Sequence, residues 1–153
     1  MKRREFISLI GGITAAWPLA ARAQQRVLPV VGLLRSIEGR ESNTAAFYRG
    51  LSDSGYTDGN NVMVDIHVAE GSRDRLSELA ADLVRKQVAA IVVNTNSAPY
   101  AISATKSIPI IFVTGSDPVA AGLVPNLNHP GGNVTGVSFL NEGLASKRLE
   151  ILH

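Results

Sequence analysis

Polar side chains occur where three of the predicted strands end, and groups of this kind bind small molecules. The candidates are Ser36 after the first strand, Asn94, Asn96 and Ser97 after the third, and Ser116 and Asp117 after the fourth. Ser97 and Asp117 each begin a predicted helix, whose free backbone N–H groups attract anionic groups such as a carboxylate. Either residue can equally be a helix cap with no contact to a ligand.

The elements that position these loops alternate along the chain from residue 26 onward. Short β-branched runs at 30–34, 62–68, 89–93, 109–113 and 134–138 are predicted strands. Amphipathic stretches at 42–54, from 72, from 97, at 117–122 and from 141 are predicted helices or single helical turns. This alternation is typical of βαβ units around a parallel sheet.

The predicted fold class is α/β, a doubly wound parallel five-stranded sheet in the order 2-1-3-4-5. The first strand is apolar throughout and should be central, whereas the second alternates apolar and polar residues like a half-exposed edge strand. Ligands of such sheets bind beyond the carboxyl ends of the strands, near the point where strand order reverses. The three polar loops are therefore expected at one edge of the sheet.

Catalytic and cofactor motifs are missing from the sequence. It contains no GxxxxGK[ST] phosphate loop, no strand-linked GxGxxG and no GxSxG elbow. There is no Cys, and His67, His129 and His153 are scattered without metal-ligand spacing. We therefore expect no enzyme, no cofactor and no metal, although an exported enzyme on the same α/β layer stays open as an alternative.

The amino terminus has the three regions of a cleaved export signal. A basic start precedes an apolar run at 6–21, and small residues flank Arg22. Arg3 and Arg4, followed by Glu5 and two apolar residues, are similar to the twin-arginine motif; an ordinary secretory signal is the alternative. We expect cleavage after Ala23 and a periplasmic location.

Removal of residues 1–23 changes the charge of the chain. That segment holds four of the 15 basic residues and one of the 13 acidic residues, so the remainder has a net charge of −1. A basic surface for nucleic acid or for a membrane therefore has no support in the mature chain. About 130 residues remain, enough for one compact domain.

Several motifs resemble those of a known family. The series VVGLL, GYTDGNNV, SIPIIF, GSDPVAAGLV and PGGNVTGVS looks like the amino-terminal lobe of bacterial ABC-transporter substrate-binding proteins, in the family that includes tryptophan and tyrosine uptake binding proteins. The resemblance implies a type I periplasmic-binding fold, with two lobes closing on a small organic solute, and permease and ATPase subunits as partners. It also implies that the six candidates line the cleft, where Asp117 either caps a helix or accepts an ammonium group.

The length of the chain differs from what the resemblance implies. Residues 24–140 correspond to one lobe, and residues 141–153 to the start of a crossover helix toward a second lobe. We therefore expect a truncated member, in which Leu144, Leu149, Ile151 and Leu152 lack part of their covering. A remnant that binds no ligand, or an interaction module, is the further alternative. The ligand is left open between aromatic amino acids, branched amino acids and other small solutes.

Overall fold

A computed structural model describes residues 27–37 and 41–139, which form a five-stranded parallel sheet. The strands are β1 (Val30–Arg35), β2 (Met63–Val68), β3 (Ala90–Asn94), β4 (Ile110–Thr114) and β5 (Val134–Ser138). Helices α1 (Glu41–Asp53), α2 (Arg73–Arg85) and α3 (Ala98–Ala104) lie between them. The strand order is β2-β1-β3-β4-β5 with every pair parallel, so the predicted fold class and order are confirmed.

Element boundaries lie within one or two residues of those that the sequence predicts. Gly55 follows α1 with φ +82°, a left-handed conformation that suits glycine after a helix. The region after Asp117 forms a single turn, in which the Ala121 N–H donates to the Asp117 carbonyl at 2.9 Å. The predicted signal at 1–23 and the predicted helix from Asn141 lie outside the described residues.

The two faces of the sheet differ in how they are covered. Residues paired in register share a face, and one face, here called the packed face, carries the apolar core. Its buried strand residues are Leu34, Ile91, Val93, Ile110 and Phe112. They form one cluster with residues of α2 and α3, namely Leu76, Ala80, Leu83, Ala98 and Ala101. Helices α2 and α3 therefore stabilise the sheet by covering this face.

The opposite face, here called the open face, carries Leu33, Val92, Ile111, Val113 and Val137. Leu33 is buried and lines a cavity with Ala46 and Phe47 of α1, whereas the side chains of Val113 and Val137 are exposed. Helix α1 is tied to this face by a hydrogen bond from Arg35 Nη1 to Thr44 Oγ1, 3.0 Å long. The open face is thus apolar and incompletely covered by the described residues.

An ionic contact links the edge strand β2 to the end of α2. Lys86 Nζ lies 2.6 Å from Asp65 Oδ2, and His67 Nε2 lies 3.0 Å from Asp65 Oδ1. The hydrogen bond from Lys86 holds the pKa of Asp65 below its usual range, against the opposing effect of burial. The carboxylate therefore stays charged at neutral pH and connects the edge strand β2 to the end of α2, the helix that covers the packed face.

No helix within the described ranges is long and apolar enough to cross a bilayer.

The pairing of β4 with β5 generates a prediction at Gly136. A Cβ at Gly136 would overlap the carbonyl oxygen of Phe112 and lie 2.5 Å from its Cγ. We expect Gly136→Ala to lower the free energy of unfolding by about 1–3 kcal/mol, because the two strands must separate. Urea denaturation followed by circular dichroism measures this change.

The matched control is Gly50→Ala in α1, where no heavy atom lies within 4 Å of the added Cβ. Alanine favours a helix interior over glycine, so this variant should be more stable by up to about 1 kcal/mol. Equal effects of the two substitutions would contradict the tight pairing of β4 with β5.

Candidate functional site

The candidate site lies at the carboxyl edge, the edge of the sheet where β1, β3, β4 and β5 end side by side. The structure joins three of the six predicted residues, Ser36, Asn94 and Ser97, through direct hydrogen bonds. Ser116 and Asp117 follow β4 at the same edge, and Asn96 is exposed in the loop after β3. The sheet therefore brings the three polar loops to one edge, as parallel strands require.

Ser97 is the centre of the first hydrogen-bond network. Its side chain is fully buried, and Oγ lies 2.8 Å from the Leu34 carbonyl oxygen and 2.6 Å from Asn94 Oδ1. Its backbone N–H donates to Asn94 Oδ1 at 3.0 Å, and Asn94 Nδ2 donates to Ser36 Oγ at 3.3 Å. A hydroxyl has one proton to share between its acceptors, so these partners occupy it. Ser97 therefore holds the ends of β1 and β3 together.

A second network connects the loop after β3 to β4 and β5. Thr95 Oγ1 donates to Thr114 Oγ1 at 2.8 Å, and the Ser116 N–H donates to Thr114 Oγ1 at 3.1 Å. Ser138 Oγ donates to the Ser116 carbonyl oxygen at 2.8 Å. Thr114 is almost completely buried, so its hydroxyl positions the loop that carries Ser116 and Asp117.

Asp117 caps the turn that follows it. Its Oδ1 accepts hydrogen bonds from the backbone N–H groups of Val119, at 2.8 Å, and Ala120, at 3.4 Å. The carboxylate is otherwise exposed at the carboxyl edge. Of the two roles expected from the sequence, the structure shows the cap, and acceptance of an ammonium group stays a prediction.

An apolar cavity of about 510 Å³ lies beside the Ser36–Asn94–Ser97 network, between α1 and the open face. Arg35 and Asn94 contribute polar groups to its lining. Its apolar lining among the described residues includes Leu33, Ile37, Ala46, Phe47, Val92, Val113 and Phe139. The volume is in the range of small-molecule sites, and an apolar chamber with a few polar groups is typical of them.

Sequence reasoning missed the residues that support the site. Phe47 has the spacing of an inward helical stripe, and Phe139 follows a strand, so neither is distinguished from a core residue. Thr95 and Thr114 lie inside the polar loops that the sequence identifies, but only the fold shows that their hydroxyls meet. Among the described residues, no group of three acidic or histidine side chains is arranged to hold a metal.

The buried hydroxyl of Ser97 supports a stability prediction. Ser97→Ala removes the hydroxyl that donates to the Leu34 carbonyl oxygen and that accepts from the backbone N–H of Asn94. We expect the free energy of unfolding to fall by about 1–3 kcal/mol. Ser103→Ala in α3 is the control, because Ser103 Oγ donates to Pro99 in an exposed position. Urea titration of both variants checks this, and equal stabilities would exclude the role of Ser97.

Known proteins are similar to this chain in sequence and in fold. A tyrosine-binding protein from Clostridioides difficile is 38% identical over 111 residues, which are 71% of this chain and 32% of that protein. This chain therefore spans about a third of the length of that relative.

Two solved structures are similar to this chain. A ligand-free, open substrate-binding protein with adhesive properties from Clostridium difficile is 33% identical, with a TM-score of 0.69, over 81% of this chain and 43% of that one. A protein from Streptococcus pneumonia in complex with L-Trp is 32% identical, with a TM-score of 0.64, over 72% and 38% of the two chains.

The sequence profile of one family, described as ABC transporter substrate binding protein, matches residues 31–153. The match begins in β1 and includes every described strand, with the loops of the carboxyl edge. The chain therefore belongs to the family of ABC transporter substrate-binding proteins.

Proposed function

We propose that this chain forms one lobe of a solute-binding protein that delivers an amino acid to the permease and ATPase subunits of an ABC importer. The proposal depends on one observation: at the carboxyl edge, polar loops held by hydrogen bonds lie next to an apolar cavity. Similar proteins that are described as binding tyrosine or holding L-Trp support an aromatic amino acid as the ligand. The same descriptions favour binding over catalysis.

The polar end of the amino acid binds to the exposed groups of the loops. Asn96 and Asp117 are exposed, and Ser116 is half-buried. The Asp117 carboxylate accepts the ligand ammonium group, since one of its oxygens caps the following turn and a carboxylate accepts several hydrogen bonds. Asn96 and Ser116 bind the ligand carboxylate through N–H or O–H donors.

In this proposal Ser36, Asn94 and Ser97 mainly support the loops rather than contact the ligand. Ser36 and Ser97 are buried, and the Asn94 amide is bonded to both. Their contribution is to fix the loops before the ligand arrives, which reduces the entropy lost on binding. The side chain of the ligand enters the cavity between Phe47 and Phe139, where its apolar surface leaves water.

A second wall completes the site. Small-molecule sites bury most of the surface of the ligand, about 70–90%. The carboxyl edge offers one side of such a cleft, and a second lobe closes on it in the complete protein. Residues 24–140 are the first lobe in this proposal, and residues 141–153 lead toward the second.

Ligand binding is tested by two-dimensional NMR of the ¹⁵N-labelled chain titrated with L-Trp, L-Tyr and, as a mismatched ligand, L-Lys. We expect shifts of the backbone signals at 94–97 and 114–117 with the aromatic ligands. Because one wall buries only part of the ligand, the affinity should be weak, with a Kd on the order of 1 mM. An absence of shifts at the carboxyl edge at high L-Trp would contradict the proposed site.

The variant Asp117→Asn tests whether the Asp117 carboxylate binds the ligand ammonium group, apart from capping the turn. Asparagine caps a helix about as well as aspartate, so the turn is kept while the negative charge is lost. We expect the affinity for L-Trp to fall about tenfold, the loss of one charge-assisted hydrogen bond. Asn128→Ala, in the loop before β5, is the control and should bind as the parent does. Unchanged affinity of Asp117→Asn would leave Asp117 with its cap alone.

Export to the periplasm is the second part of the proposal. Residues 1–23 act as a twin-arginine signal that is cleaved after Ala23, which places the lobe in the compartment where importers collect solutes. We expect Arg3→Lys combined with Arg4→Lys to leave the precursor in the cytoplasm. Arg22→Lys combined with Arg26→Lys is the control and should be exported.

Cell fractionation with mass spectrometry measures the outcome. Trp17 is the only Trp, so the exported product should also lack Trp fluorescence. Export of the Arg3 and Arg4 variant at the rate of the parent would favour the ordinary secretory route instead.

A further inference from the structure

Three polar side chains are among the described residues that line the apolar cavity, and they differ in their hydrogen bonds. Arg35 donates to a hydroxyl of α1, and the Asn94 amide is bonded to Ser36 and Ser97. Asn43, in the first turn of α1, is exposed and makes no side-chain hydrogen bond within residues 27–37 and 41–139. Its amide therefore has donors and an acceptor that can bind a ligand.

Asn43 lies at the mouth of the cavity because α1 begins at the carboxyl edge. The chain enters α1 from the end of β1 and returns toward the amino end of β2. Asn43, Ala46 and Phe47 are three and four residues apart, so they share the face of α1 that lines the cavity. Phe47 lies about 6 Å farther along the helix axis, away from the carboxyl edge. Asn43 is therefore on the same side of the cavity as the polar loops, and Phe47 is deeper.

The two sides of the mouth carry opposite charges. Arg35, at the end of β1, is the one charged residue in the described lining of the cavity. Asp117 follows β4, which is separated from β1 by β3, so the two strand ends are about 10 Å apart. In the proposed function the ammonium group of the amino acid binds to Asp117. Its carboxylate is then favoured on the side of Arg35 and Asn43, where no acidic residue of the described lining opposes it.

We propose that Asn43 is a specificity-determining residue, whose Nδ2 donates a hydrogen bond to the carboxylate of the ligand at the mouth of the cavity. The inference rests on the proposed function and adds to it a requirement for a free carboxylate. A carboxylate accepts about four hydrogen bonds, so Asn43 adds a donor from α1 to those of Asn96 and Ser116. An amine with the same ring and no carboxylate binds less tightly, because the Asn43 amide then donates only to water.

The first turn of α1 is attached to the sheet beside Asn43. None of the α1 side chains whose burial the structure describes is buried, whereas α2 and α3 each contain buried residues, so packing alone constrains α1 weakly. Thr44 follows Asn43 directly, and its Oγ1 accepts a hydrogen bond of 3.0 Å from Arg35 Nη1. This bond limits the motion of Asn43 before a ligand arrives, which reduces the entropy lost on binding.

NMR titration of the full ¹⁵N-labelled chain with L-Trp and with tryptamine tests this inference. Tryptamine keeps the indole ring and the ammonium group of L-Trp but has no carboxylate. We expect Asn43→Ala to lower the affinity for L-Trp about tenfold, the loss of one hydrogen bond to a charged group, and to leave the affinity for tryptamine within about twofold. Ser52→Ala is the matched control and should bind both ligands as the parent does, because Ser52 is exposed on the opposite side of α1, nine residues from Asn43.

A second variant, Asn43→Asp, keeps the shape of the side chain and places a negative charge opposite the carboxylate of L-Trp. An acidic residue suits the first turn of a helix, so α1 is retained. The affinity for L-Trp should fall by more than about tenfold, and the affinity for tryptamine should stay or rise. Equal losses for both ligands, or an unchanged affinity for L-Trp in both variants, would overturn the inference while the proposed function stands. If the parent binds no L-Trp at the carboxyl edge, the proposed function fails, and this inference fails with it.

Discussion

The reversal of strand order between β1 and β3 is the constraint on which the site depends. The chain leaves β1 toward α1 on the open face and leaves β3 toward α3 on the packed face, so the two loops diverge. A crevice at such a point is the usual ligand position in doubly wound sheets. The hydroxyl of Ser97 spans the divergence by donating to the Leu34 carbonyl oxygen. Together with the hydrogen bond from Asn94 Nδ2 to Ser36 Oγ, that bond joins the loops that follow β1 and β3.

The buried core lies on one face of the sheet, and the cavity lies mainly on the other. The buried cluster of α2, α3 and the strands lies on the packed face, and it includes Leu83, Ile91 and Phe112. Most residues beside the cavity lie on the open face or on α1, and Val113 and Phe139 among them are exposed. Substitutions on the exposed part of the open face should therefore lower stability less than substitutions in the packed cluster, and under the proposed function they would act on binding. A binding protein benefits from this division, because its ligand specificity can vary while the lobe remains folded.

The sheet was predictable from the sequence because its signals are periodic and local. The apolar run of β1 and the alternation of β2 indicate a central and an edge strand, and the structure places them so. The roles of the loop residues were not predictable to the same degree, because a loop has no periodicity that fixes the direction of a side chain. Ser97 and Asn96 are one residue apart in a loop of similar residues, yet the first is buried and the second is exposed. The buried hydroxyl of Ser97 bonds to the Leu34 carbonyl oxygen and to Asn94 Oδ1, and the position of these partners is set by the fold.

Some polar groups of the loops at the carboxyl edge are buried and fix the loops, and others are exposed. The hydroxyls of Thr114 and Ser97 are buried and hydrogen-bonded, whereas Asn96 and Asp117 in the same loops are exposed. A loop that is fixed before binding loses little entropy when the ligand arrives, so each contact contributes more of its energy to affinity. A single wall of this kind still leaves much of a ligand in water. The proposed function therefore requires a second wall that closes over loops already held by hydrogen bonds.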